Sequence, residues 1–128
     1  MDKRVEELYN QLPTFADLNA LVERIGSLSK EEAYLKVRLD EVVSEVVKIS
    51  TSNEKYFVGG KPPTMAYIER TYAITGIEGV NLAELRKKLA TVSAELEKAK
   101  LQFRAYQQMY AIFQTLSANV RRDKDMEY

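Results

Sequence analysis

The sequence predicts a mainly α fold: two long coiled-coil-like helices joined by an irregular or short β-containing linker, preceded by short N-terminal helices, in an oligomeric protein. Three observations lead there. Apolar residues alternate at three- and four-residue spacing over about 40 residues from Leu82, and again from Leu35 to Ile49. Four of the five glycines and two of the three prolines fall between these stretches, which marks a linker. With 128 residues, 45% of them apolar and 30% charged, the chain is long enough for one domain and too apolar to be disordered.

Residues 1–28 are expected to form short helices. Val5 to Leu12 supplies a turn or two before Pro13. Thr14 and Asp17 offer a cap for a helix carrying Phe15, Leu18, Val22 and Ile25, and Gly26 is expected to end it. Ser29-Lys30-Glu31-Glu32 then reads as a capping box, in which the Ser29 hydroxyl and the Glu32 carboxylate each satisfy a free backbone N–H. It opens the first long helix, residues 29–50, in which Leu35, Leu39, Val42, Val46 and Ile49 repeat and Val43 and Val47 broaden the face.

The linker covers residues 51–80. Within it, Met65 to Ile74 reads as a strand with Ala66, Ile68, Tyr72 and Ile74 on one face, or as a short helix aligning Met65, Ile68 and Tyr72; periodicity does not decide a run this short. The second long helix is expected over residues 81–122, with Asn81 as N-cap, Glu84 in the first turn, and Arg121, Arg122 and Lys124 near the end, where the helix dipole favours cations. Residues 123–128 form a tail. The whole is expected to be a single helical domain without internal repeats.

The last helix carries more apolar surface than one partner covers. Its main seam runs Leu82, Leu85, Leu89, Val92, Leu96, Ala99, Phe103, Tyr106, Tyr110, Phe113 and Val120. Beyond Phe103 a second stripe appears, made by Leu101, Ala105, Met109, Ile112 and Leu116. A helix inside its own small bundle and a subunit interface both account for this. The expectation taken forward is the interface, between copies in a homo-oligomer, with Leu82, Leu85, Leu89, Val92, Leu96, Phe103, Tyr106, Met109, Tyr110, Ile112, Phe113 and Leu116 in it.

Composition narrows the chemistry. The absence of cysteine excludes disulfides, thiol catalysis and thiolate metal sites, and the absence of histidine removes the commonest general base and the usual zinc and iron ligands. No cluster of carboxylate, Lys, Tyr or Ser side chains replaces them, so a non-enzymatic protein with no cofactor and no metal is expected. There is no apolar run of about 18 residues and no signal-peptide layout at Met1-Asp2-Lys3-Arg4, so the expectation is a cytoplasmic protein without membrane contact. Nineteen basic residues balance nineteen acidic ones, so any polyanion must be held by a local patch.

Lys55 to Thr64, KYFVGGKPPT, has the Gly-Gly-Lys of a phosphate-binding loop but not its other parts. The first Gly of that motif is missing upstream, and Pro62 and Pro63 replace the hydroxyl residue and its N–H. A Gly-Gly turn leading into an extended Pro-Pro segment is the simpler reading. Lys55, Tyr56, Phe57 and Lys61 nevertheless interleave aromatic rings with cations, and Tyr67, Arg70 and Tyr72 repeat the pattern, which suits single-stranded nucleic acid. Packing of the rings is the alternative. Lys36 and Arg38 flank the apolar stripe of the first long helix, either to grip a strand or as solvated shoulders paired with Glu32 or Asp40. Lys98, Lys100, Arg104, Arg121, Arg122 and Lys124 make the last helix basic.

On these residues the chain resembles the recombination mediator proteins of T-even-type bacteriophages. Leu35-Lys36-Val37-Arg38-Leu39-Asp40 looks like that family's basic helical motif. Tyr56-Phe57-Val58-Gly59 with the Pro-containing stretch behind it resembles the linker after the family's first long helix, and a long final helix rich in Leu and aromatics follows. The resemblance implies a non-enzymatic single-stranded DNA-binding protein that oligomerises, as a closed ring, and helps load a recombinase onto DNA coated by a single-strand-binding protein, in the host-cell cytoplasm. Carried over residue by residue, it implies DNA contacts at Lys36 and Arg38, and at Lys55, Tyr56, Phe57, Lys61 and Arg70 in the linker.

Two readings from other classes stand beside it. A prefoldin-like chaperone subunit would need Tyr67 to Ile74 as a strand, and a coiled-coil scaffold would bind protein only.

Overall fold

Apolar spacing and local caps explain each helix in turn. The computed structural model describes residues 2–80 and 82–126. Helix α1, Lys3–Gln11, begins at Asp2, whose carboxylate accepts from the Arg4 N–H at 2.8 Å. This bond lowers the Asp2 pKa below the ordinary aspartate value. The helix stops at Leu12 because the following Pro13 pushes that residue into an extended conformation.

Helix α2, Phe15–Ser52, opens on a reciprocal cap: Asp17 N–H donates to Thr14 Oγ1 at 3.1 Å and Thr14 N–H donates to Asp17 Oδ2 at 2.9 Å. The expected break at Gly26 and the new start at Ser29 do not exist, since one helix runs through both. The reason is phase. Leu18, Leu21, Ile25, Leu28, Glu32, Leu35, Leu39, Val42 and Val46 keep one seam across residue 26, and each is buried or half-buried. A single interior glycine costs only about 1 kcal/mol relative to alanine, too little to end a helix with a continuous buried face.

The linker is helical and turned. A 3-10 turn at Glu54–Tyr56 is capped by the Asn53 side chain, which accepts from Lys55 N–H at 3.1 Å. Val58 and Lys61 exchange two backbone hydrogen bonds, at 2.9 and 3.2 Å, around Gly59 and Gly60, whose φ angles of 62° and 77° are those of a two-residue type I′ turn. KYFVGGKPPT is therefore a tight turn and no phosphate loop. Helix α3, Met65–Arg70, starts at Thr64, whose hydroxyl accepts from Tyr67 N–H, and helix α4, Tyr72–Thr75, ends at Gly76. Residues 65–70 and 72–75 are thus helical, with a turn at Thr71 between them, and the only β pairing among the described residues is the bridge of Val58 with Lys61. The strand that a prefoldin-like subunit would need at 67–74 is absent. Helix α5, Leu82–Met126, carries Glu84 in its first turn and Lys124 in its last; the expected cap at Asn81 lies outside the described residues.

The chain divides into two compact units. One comprises α1, α2 as far as Ser27, and α5 from Leu96 onward. Here α1 and the start of α2 both run antiparallel to α5: the Tyr9 ring meets Phe113 at 5.7 Å, and the Tyr110 hydroxyl donates to the Pro13 carbonyl at 2.7 Å. The other unit is Leu28–Glu95. Its core gathers Val42 and Val46 of α2, Tyr56, Ile68 of α3, Ala73 of α4, Ile77, and Leu82 of α5. The linker is thus a lid of short helices on the α2 seam. No described helix is long and apolar enough to cross a membrane.

Candidate nucleic-acid interface

The residues expected to contact DNA all lie in the Leu28–Glu95 unit, where the cations are exposed and the aromatics buried or half-buried. Lys36 and Arg38 are exposed on α2, with the exposed Val37 between them and Leu35 and Leu39 turned inward. At 100° per residue they point about 160° around the helix away from each other. They are shoulders on opposite sides of the buried seam, so one strand laid on a single face of α2 reaches only one of them. Each holds a carboxylate on its own helix: Lys36 Nζ lies 3.3 Å from Glu32 and Arg38 Nη1 lies 3.4 Å from Glu41, the latter in place of the expected Asp40. The Arg38–Glu41 pair is an exposed helix pair worth only about 0.3–0.5 kcal/mol, so a phosphate can displace Glu41, whereas Glu32 is half-buried beside Lys36.

The aromatic half of the expected site is corrected. Tyr56 is 9% exposed and belongs to the core, so its ring has no free face for a base. Its edge packs on Tyr72 with centroids 5.3 Å apart, and the Tyr72 hydroxyl donates to the Tyr56 carbonyl at 2.9 Å. The Tyr56 hydroxyl donates to Glu78 Oε1 at 3.1 Å, and the Asn53 amide reaches the same oxygen at 3.5 Å. Burial, then the Glu78 carboxylate, raises the Tyr56 pKa above the ordinary tyrosine value; burial, then Tyr67, raises that of Tyr72. Phe57 is half-buried. Lys55 places its ammonium 5.6 Å from the centre of the Tyr56 ring, a cation–π contact at the rim of the core. Lys61, in the Gly-Gly turn, and Arg70, at the end of α3, are exposed.

Three groups were not singled out from the sequence. Glu78, at φ 48°, lies beside Gly79 and joins the 3-10 turn to the segment before α5. Arg86 donates to the Ala73 carbonyl at 2.8 Å, tying α5 to the end of α4. Ser93 donates to Glu32 Oε2 at 2.7 Å, which gives the carboxylate in the α2 seam a partner on α5. The glycine flanking Glu78 and the break in apolar character at Glu32 were the available signals.

The residues expected at a subunit interface are largely covered within the chain. Leu82, Val92 and Leu96 are buried. Leu85, Leu89, Phe103, Tyr106, Met109, Tyr110, Phe113 and Leu116 are half-buried, and Ile112 is exposed. The main seam is therefore an internal one, which corrects the expectation for the three buried leucine and valine positions. Among the exposed cations of α5, Lys100 and Arg104 edge a groove floored by Val22, Ile25 and Phe103. Among the described residues no three acidic side chains converge to hold a metal ion. No protein-family model, curated protein or solved structure matches the chain.

Proposed function

We propose that this chain is a non-catalytic assembly factor that binds single-stranded DNA by its phosphates and helps load a recombinase onto strands coated by a single-strand-binding protein. One observation carries the reading: all five cations expected at the DNA, Lys36, Arg38, Lys55, Lys61 and Arg70, are exposed in one compact unit. The resemblance at Leu35 to Asp40 supports it, because that segment presents both of its cations to solvent. The interior position of Tyr56 argues for a contact made by charge rather than by stacking. Such a contact is insensitive to base identity and weakens steeply with salt.

Anisotropy of a labelled poly-dT strand, titrated at several salt concentrations, tests this directly. Phosphate binding gives a linear fall of log K with log salt, with a slope of about −0.7 per phosphate engaged. Absence of binding at low salt would leave the second reading, a helical scaffold that binds protein only. That reading is favoured by the exposed apolar side chains Leu101 and Ile112 on α5 and by Phe15, which is 83% exposed at the start of α2.

A further inference from the structure

Helix α5 has two apolar seams on opposite faces. The first is internal. The second runs through Leu101, 53% exposed, Ala105 and Ile112, 54% exposed, with Met109 and Leu116 along its edge. At 100° per residue, Leu101, Ala105 and Ile112 lie within about 40° of one another and about 180° from Phe103 of the internal seam. Lys98 and Asp123, both exposed, continue the same line at its two ends. Glu97 and Arg122 sit on one flank, again at opposite ends.

We propose that this face is covered by the same face of a second copy of the chain, with the two α5 helices antiparallel and centred between Met109 and Tyr110. The charges decide both occupant and direction. A parallel, in-register pair sets Lys98 against Lys98 and Asp123 against Asp123 along the seam. Reversal sets Lys98 within a turn of Asp123 of the second copy at both ends, and Glu97 level with Arg122 of the second copy. The same reversal brings Leu101 within a turn of the second copy's Leu116, and Ala105 within a turn of its Ile112. Small Ala105 lets the helices approach closely, while Gln108 near the centre keeps the seam from being wholly apolar. The contact is isologous, as a two-fold pair requires. It is separate from the cations of the Leu28–Glu95 unit, so it stands whether or not the protein binds DNA.

The full chain lacks cysteine, so single cysteine variants report neighbours without background. Mild oxidation should join Gln108→Cys to its own copy efficiently. Leu101→Cys should cross-link with itself at least tenfold less, because its two copies lie about 25 Å apart along the axis, beyond the reach of a disulfide of about 7 Å between Cα atoms. Sedimentation velocity of the unmodified chain should show a monomer–dimer equilibrium in the micromolar range. Ile112→Glu should abolish it with helix content by circular dichroism unchanged, and Glu97→Arg should weaken it until Arg122→Glu is added to restore it. Efficient cross-linking of Leu101→Cys overturns the antiparallel arrangement. A monomer at every concentration overturns the pairing altogether, while leaving DNA binding to be judged by its own titration.

Discussion

The Tyr56 hydroxyl lies 3.1 Å from the Glu78 carboxylate and donates to it, joining the 3-10 turn after α2 to the glycine-flanked turn before α5. A residue that reads in sequence as a stacking platform is instead a strut of the core. Tyr56→Phe should therefore lower the urea midpoint, since it removes the donor while the ring remains, and should change poly-dT affinity by less than twofold. A loss of affinity without a loss of stability would return Tyr56 to the binding surface.

Alkaline stability follows from the same pair and from Tyr72. Both phenols have folded-state pKa values raised above 10.0. In the unfolded chain they lose their protons near pH 10, while in the folded chain they keep them, so the folded state binds more protons there. Their contribution is full below about pH 10 and is lost as pH rises through the folded values. Urea midpoints at pH 8, 10 and 11 should fall more steeply for the parent chain than for the Tyr56→Phe, Tyr72→Phe double variant.

Gly26 lies inside α2, and beyond its chain neighbours and the backbone of its own helix no atom comes within 4 Å of where a Cβ would stand. Gly26→Ala should stabilise the protein by about 1 kcal/mol, by improving helix propensity and by restricting the unfolded chain. Thermal melts would show it, and a destabilised variant would mean that this glycine serves a bend.

Ile68 of α3 is 1% exposed at the centre of the Leu28–Glu95 core. Truncation to alanine should cost about 2–5 kcal/mol, through lost burial and the cavity left behind. Denaturant unfolding measures it; a cost below about 1 kcal/mol would mean that the short helices are not packed on α2.

Lys36→Ala with Arg38→Ala should weaken poly-dT binding several-fold at low salt and reduce the magnitude of the salt slope by about 0.7, the share of the one phosphate that a strand on a single face of α2 sets against either cation. Oligomer size and melting temperature should hardly move, because both cations removed are exposed, and Glu32, the half-buried carboxylate, keeps its hydrogen bond from Ser93. Unaltered affinity would remove these two residues from the interface.

The long helices were legible because a repeated three-four spacing leaves no other backbone that buries it. Residues near 26–32 misled because Gly26 and a Ser-x-x-Glu pattern are strong local signals, and only the uninterrupted phase from Leu18 to Val46 outweighs them. Met65 to Ile74 was undecided because β-branched and aromatic residues crowd a short run. The Thr64 cap behind two prolines was the deciding feature, and it is local. For Tyr56 no local signal suffices: whether a ring beside a turn faces water depends on Ile68, Ala73 and Ile77, which arrive from later in the chain. The main seam of α5 was read correctly as apolar, but its partner inside the chain depends on the path of the linker.

Glu32 occupies a seam position of α2 and is met there by Ser93. Sliding α2 along α5 by one turn would carry the carboxylate about 5.4 Å from that hydroxyl and set it among leucines and valines. The pair of helices in this unit is thus keyed like a ratchet pawl: apolar spacing alone would tolerate several alignments, and one polar tooth selects among them.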